Sequence, residues 1–262
     1  KIKKMKKILL TLTVIGLVFT SCEKDKPIAT DITINFTHTV DGSDLITNSM
    51  IYTNKAGEDY DVQTLKYLIS DITLHAENGS SLQLDEVHFI DISDASTFSF
   101  TYNDVPNNNY TSISFDMGLD SAKNISNKYV NEGIGTNQYF HPTMFWPETN
   151  GGGYHYMKLE GEFDTINNGY KTHTGPTVMM GGSMGMDMSF EEELEITLNV
   201  DDNLGDVNVY INMEINNWYQ NPDTISFASY GPAGNNGIMQ NMPMQHKLKQ
   251  NGEADVFSLT DR

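Results

Sequence analysis

The stretch His141-Pro-Thr-Met-Phe-Trp146-Pro-Glu-Thr-Asn-Gly-Gly-Gly-Tyr-His155 holds two imidazoles and an indole in one loop-like segment. Two histidines can reach one metal ion when such a segment folds back, and Gly151, Gly152 and Gly153 allow backbone conformations that other residues resist. The chemistry open to this set is copper binding through His141 and His155, with Trp146 beside the metal as a shield for Cu(I). A plainer reading stands next to it: buried tryptophan in a β-rich core usually just packs, and both histidines suit a solvent-facing loop or strand.

A second set is built from sulfur. Met179, Met180, Met184, Met186 and Met188, followed by Met239, Met242 and Met244, place eight of the 14 methionines in two short windows. Both windows are polar and rich in glycine or amides, whereas core filling calls for apolar periodicity. Thioether sulfur is a soft donor suited to Cu(I) and needs no deprotonation. With His173 and His246 nearby in sequence, Met179, Met184, Met186, Met188, Met242 and Met244 make a candidate mixed sulfur and imidazole site. The same methionines as adaptable gap-fillers or a contact surface need no metal.

These ligands have to be presented somewhere, and the N-terminus says where. Lys1 to Lys7 are basic, Ile8 to Phe19 are apolar, and Thr20-Ser21 precede Cys22, the only cysteine. This is the layout of a secretory signal. Its apolar run falls short of the roughly 20 residues that a membrane span requires. Small residues before a lone cysteine match a lipobox, so residues 1–21 read as a signal peptide, Cys22 as the lipidated residue and 22–28 as a polar tether. The expected address is the cell envelope, anchored by lipid on the outer membrane, periplasmic or surface face. With no second thiol there is no internal disulfide. The leader removes five of 16 basic residues and none of the 35 acidic ones, leaving 11 basic against 35 acidic, a formal charge of −24. Such a surface repels nucleic acid and anionic headgroups.

Residues 29–262 supply the scaffold. Ile32, Ile34 and Phe36 alternate with polar residues, and the same period of two recurs in 65–75, 82–92, 98–102, 110–117, 154–163, 194–200 and 207–215. Turn signals such as Glu77-Asn78-Gly79 separate these runs. The pattern predicts an all-β fold, an antiparallel β-sandwich with long loops and at most one or two short helices, in one domain. Ser121 to Val130, opening at Asp120, is the expected short helix. His38, His75 and His88 fall in strands as exposed or hydrogen-bonded residues with no assigned role. Asp201-Asp202-Asn203 lacks the spacing and closing glutamate of a calcium loop. There is no Gly-X-Ser-X-Gly, no His-Glu-X-X-His, no phosphate loop and no cysteine nucleophile, so no enzyme class finds support.

Several phrases, taken in order, resemble the methanobactin-associated copper proteins, the MbnP-like family. They are Tyr52 to Gly57, Leu65 to Ile72, Phe115 to Asp120 with Asn124, Met144-Phe145-Trp146, Gly153-Tyr154, Lys158-Leu159-Glu160-Gly161, and His173 before Gly175. The resemblance implies a β-rich exported domain that binds copper, with histidines and an oxidised tryptophan among the ligands of characterised relatives and a di-haem oxidase as the partner that modifies it. Trp146 is then the candidate for oxidation. The expected function is a non-enzymatic, lipid-anchored copper-binding protein for capture, storage or delivery. The alternative is a β-sandwich interaction or adhesion module without metal, using the methionine loops with Tyr219, Phe227 and Tyr230 as its surface.

Overall fold

A computed structural model describes residues 29–106, 108–130, 140–146, 148, 152–165, 168–176, 189–199, 207–230, 237–238 and 241–261. Cys22, the leader and the tether lie outside the described residues. The elements in order are β1 (Ala29–Val40), β2 (Ser43–Asp44), β3 (Tyr52–Thr53), β4 (Asp59–Tyr60), β5 (Thr64–Ala76), β6 (Ser81–Asp91), β7 (Ser99–Pro106) and β8 (Asn109–Met117). After these come α1 (His141–Met144), β9 (Met157–Glu162), β10 (Gly169–Thr174), β11 (Phe190–Asn199), β12 (Val207–Glu214), α2 (Met242–Asp255) and β13 (Phe257–Thr260). The expected β-sandwich is what the chain forms; among the described residues every pair of named strands is antiparallel except β1 with β12. Of the two α-helices, α1 is a single turn and α2 runs for 14 residues.

The smaller sheet joins β13, β12, β1 and β2, with β7 also on β1. In β1 the alternation read from sequence is visible: Ile32, Ile34, Phe36, His38 and Val40 are buried, while the residues between them are half-buried. The larger sheet is built on β5, which carries β6 along one edge. On its other edge β9 pairs with 64–67 and β8 with 69–76. Phe36 meets Tyr67 and Phe115 across the gap between sheets, with ring centroids 6.2 and 6.1 Å away. That contact lies at the centre of the main core.

One detail of β5 escapes the sequence pattern. Leu65, Tyr67 and Ile69 are buried in the main core, but beyond Asp71 the core residues are Ile72, Leu74 and Ala76. The parity changes because Asp71 has φ of 56° and the register with β6 and β8 shifts there, as a bulge requires. Leu68 faces the opposite side and packs with Val87, Phe89, Leu119, Tyr129, Phe140, Met144, Tyr154 and Tyr156 in a second core. β5 is therefore covered on both faces, and the outer cover is the segment that carries the candidate site.

Ser121 to Val130 forms successive turns in place of the expected helix. Asp120 caps it as a helix start would, accepting from Ala122 N–H and Lys123 N–H. The propagation stops because Asn127 has φ of 63° and because side chains along it bond elsewhere: Ser126 Oγ accepts Gly153 N–H and Asn124 Oδ1 accepts Tyr154 N–H.

α2 docks on the sheet edge through Gly252, whose missing side chain leaves room for Phe190 and Trp218. A Cβ there would come within 2.6 Å of Phe190 and 2.8 Å of Trp218. Gly252→Ala is expected to destabilise the protein by about 1–3 kcal/mol through overpacking, although alanine in a free helix would gain about 1 kcal/mol over glycine. Urea denaturation reads the sign. A stabilised variant would contradict this packing.

Candidate functional site

β9 and β10 pair as an antiparallel hairpin with His173 opposite Lys158. Just beyond it, Tyr156 N–H donates to the Thr174 carbonyl at 2.8 Å. This pairing brings His155 to His173, with ring centroids 4.9 Å apart and planes at 86°. Trp146 completes the group, its ring 4.6 Å from that of His155. It is positioned by the backbone: Phe145 bridges to Tyr154, and Trp146 N–H donates to the Gly153 carbonyl at 2.9 Å. Gly153 has φ of 83°, a conformation that glycine adopts without cost. Trp146 is 0% exposed and both histidines are 7% exposed.

The His155 ring is hydrogen-bonded to the backbone of Met144 and Phe145, and the His173 ring to Glu160. His155 Nδ1 lies 3.1 Å from the Met144 carbonyl oxygen. A carbonyl only accepts, so Nδ1 carries the proton and Nε2 the lone pair. His173 Nε2 lies 2.6 Å from Glu160 Oε1. That hydrogen bond, ahead of every other influence, holds the Glu160 carboxyl below the usual glutamate range, so the carboxylate accepts and Nε2 donates. His173 Nδ1 is then left buried with no hydrogen-bond partner among the described residues. Burial first, and the neighbouring His173 second, push His155 down to about 3, which keeps it neutral at ordinary pH. Imidazoles tied by one nitrogen to a carbonyl or carboxylate, with the other nitrogen open, are the usual state of metal-ligating histidines.

The indole is fitted to the same place. A Cβ at position 175 would lie 2.8 Å from Trp146 Cε3 and Cζ3, so Gly175 provides the clearance for the ring. Gln245, 0% exposed, donates from Nε2 to the His173 carbonyl at 2.5 Å and to the Ile238 carbonyl at 3.1 Å. Among the described residues no three His, Cys, Asp or Glu side chains converge on one point that could hold a metal. The donors available are two imidazole nitrogens, with an indole wall and an amide close by.

The sequence-derived candidates divide accordingly. His155, His173 and Trp146 come together. His141 pairs through Nδ1 with the Tyr154 hydroxyl at 2.9 Å. Met244 is packed in the main core beside Leu248, which accounts for it as filling; Met242 is half-buried and His246 exposed on α2. Met179, Met184, Met186 and Met188 lie outside the described residues. His38, His75 and His88 are hydrogen-bonded, to Tyr67, Ser114 and the Thr97 carbonyl, though His38 and His88 are buried. Glu160 and Gln245 carried no role in the sequence reading. Glu160 stands in the Lys158-Leu159-Glu160-Gly161 phrase, and only strand pairing shows that it shares a face with His173.

The MbnP family model matches residues 29–240. The chain belongs to the MbnP family. Proteins of this family are generally non-catalytic and copper-binding. A solved structure, MbnP from Methylosinus trichosporium, superposes with a TM-score of 0.53 at 10% identity, covering 75% of this chain and 80% of that one. At that identity the likeness is one of fold. No curated protein sequence matches the chain. In this MbnP-family chain the matched segment contains Trp146, His155, Glu160, His173 and Gly175, while Gln245 lies beyond it.

The depressed His155 gives a pH signature in the metal-free protein. Its folded value of about 3 lies below the unfolded value of 6.5, so unfolding takes up a proton at any pH between them. The stability this group contributes is present above about 6.5 and is lost as pH falls toward 3. The stability gap between the native protein and His155→Gln is expected to shrink by about 2 kcal/mol between pH 7 and 4.5. Paired urea titrations at the two pH values measure it. A constant gap would refute the neutral buried imidazole.

Proposed function

We propose that this chain is a non-enzymatic copper-binding protein, anchored by lipid at Cys22 in the cell envelope, that holds copper through His155 Nε2 and His173 Nδ1. The observation that carries this reading is the buried His173 Nδ1, without a hydrogen-bond partner among the described residues, in a ring 4.9 Å from that of His155. A buried acceptor without a donor is destabilising unless something electropositive meets it. Imidazole nitrogen suits copper, and the site's low polarity suits the softer Cu(I). Bound copper would supply a stored, deliverable ion at this position. The chain's own residues do the rest: Met144 and Glu160 fix both tautomers, and Trp146 excludes water on one side.

Two further parts of the proposal rest on family resemblance and on sequence. Trp146, against the His155 ring, is the residue on which a di-haem oxidase partner would act. The methionine windows, with Met242 and His246 on the open side of α2, would gather Cu(I) near the site. The acidic surface agrees with a cation as cargo, and the role is capture, storage or delivery.

Copper retention decides the matter. The protein without its leader is expected to retain one copper per chain after reconstitution and gel filtration, measured by elemental analysis under reducing and oxidising conditions. His155→Ala and His173→Ala should each abolish retention, and Glu160→Gln should weaken it by about 10–100-fold, as loss of an outer partner does. A natively folded protein, checked by circular dichroism, that retains no copper in either condition would end this reading. Mass spectrometry of protein isolated from its own host reports any oxygen gained by Trp146.

A further inference from the structure

Gln245 is a fully buried amide whose two halves have different fates. Its nitrogen is fixed by the carbonyls of His173 and Ile238. Both of those groups only accept, so the amide cannot be reversed without setting its oxygen against two other oxygens. Oε1 is therefore an oriented acceptor, and it has no hydrogen-bond partner among the described residues. His173, whose backbone carbonyl Gln245 grips, has another of the five buried atoms without a hydrogen-bond partner among the described residues, Nδ1. Two buried polar atoms without a hydrogen-bond partner among the described residues, on residues joined through the His173 backbone carbonyl, are a pair that a cation would satisfy.

Resting on the copper reading above, we propose that Gln245 Oε1 is an additional, weak oxygen donor to the metal, supplied by α2 and outside the segment that the family model matches. Its consequence is a bias in oxidation state. Where two imidazoles set the strong bonds, the weak extra ligand tunes the balance between Cu(II) and Cu(I). A carbonyl oxygen is a harder donor than a thioether, so Gln245 favours Cu(II) relative to what a methionine at the same place would do. α2 thus does more than close the sheet edge, because its first turn sets which form of the ion is retained.

The test compares Cu(I) and Cu(II) dissociation constants for the native protein, Gln245→Met and Gln245→Leu, with circular dichroism and melting of the metal-free forms as controls. Gln245→Met should shift the ratio of the two affinities at least tenfold toward Cu(I) and change the Cu(II) electron paramagnetic resonance parameters. Gln245→Leu should weaken Cu(II) binding more than Cu(I) binding. Where the substitutions disturb the fold, the native protein labelled with 13C at the glutamine side-chain carbonyl answers instead: a resolved 13C hyperfine coupling to bound Cu(II) is expected. Unchanged affinity ratios in folded variants, or no such coupling, would overturn the role of Gln245 while leaving the two-histidine site standing. A native protein that binds no copper at all would fail the earlier reading first.

Discussion

Leu68 donates its backbone N–H to Tyr156 and accepts at its carbonyl from Gly118, at 2.9 and 2.8 Å, and the placement of the site follows from that division. β5 is a 13-residue strand with one edge shared by two partners. β8 and β9 meet at Leu68, and neither can continue past it. The chain between them, 118–156, has to leave the sheet at Gly118 and return at Tyr156. Gly118 permits this with φ of 106°, and a Cβ there would sit 2.6 Å from the Tyr156 ring. Leu119, Tyr129, Phe140, Met144 and Tyr154 of that stretch pack over the sheet's outer face, where Leu68, Val87 and Phe89 present an apolar surface. His155 is the last residue of the return, so it arrives beside β10 by construction.

The electrostatics around the site separate it from the protein's general acidity. Glu160 is the one carboxylate shown bonding an imidazole of the site, and Lys158 stands 3.9 Å from it. Elsewhere the carboxylates gather round Lys123, which contacts both Asp71 and Asp120 at 2.7 Å and is raised to about 12 by those partners against the cost of its burial. Lys123 and Asp71 line a depression of about 370 Å³ with Gln83, Asp85 and Glu86. Asp116 beside it is pushed up to about 6, by burial first and by Asp71 next. Crowded acids of this kind lose stability as pH rises through the raised value. The buried His155 works in the opposite direction, losing stability as pH falls. The two regions therefore oppose one another across the range from about 4 to 6, and acid does not act on this fold through a single group.

Strands were legible because a half-buried strand must alternate, and the runs around 32–36, 65–75 and 110–117 all form strands. Their facing was less so. Asp71 reverses the parity of β5 by a positive φ, and nothing in an alternating string of leucines and isoleucines marks where a bulge falls. The helix expected at 121–130 had a real cap in Asp120, but Asn124 and Ser126 serve as acceptors for Gly153 and Tyr154, and that distant demand outweighs local propensity. The site was half legible for the same reason. Proximity in sequence grouped His155 with His141, whereas sheet pairing exchanges His141, which meets Tyr154, for His173 on the next strand. On α2, His246 is exposed, and the neighbouring buried position belongs to Gln245, which residue type alone does not mark.

The spacing of His173 and Gly175 now has a physical content. Residues two apart on an extended chain point the same way, so the imidazole and the gap left by the glycine open on one side. The indole of Trp146 fills that gap with its six-membered ring, and its other contacts bring it to His155. Any side chain at 175 has to displace the indole, which packs against the His155 ring while its backbone N–H is fixed to the Gly153 carbonyl. The imidazole and the clearance for the indole are thus set by a single three-residue phrase on β10 and its exit. The missing Cβ of Gly175 leaves the space that the six-membered ring of Trp146 occupies beside His155.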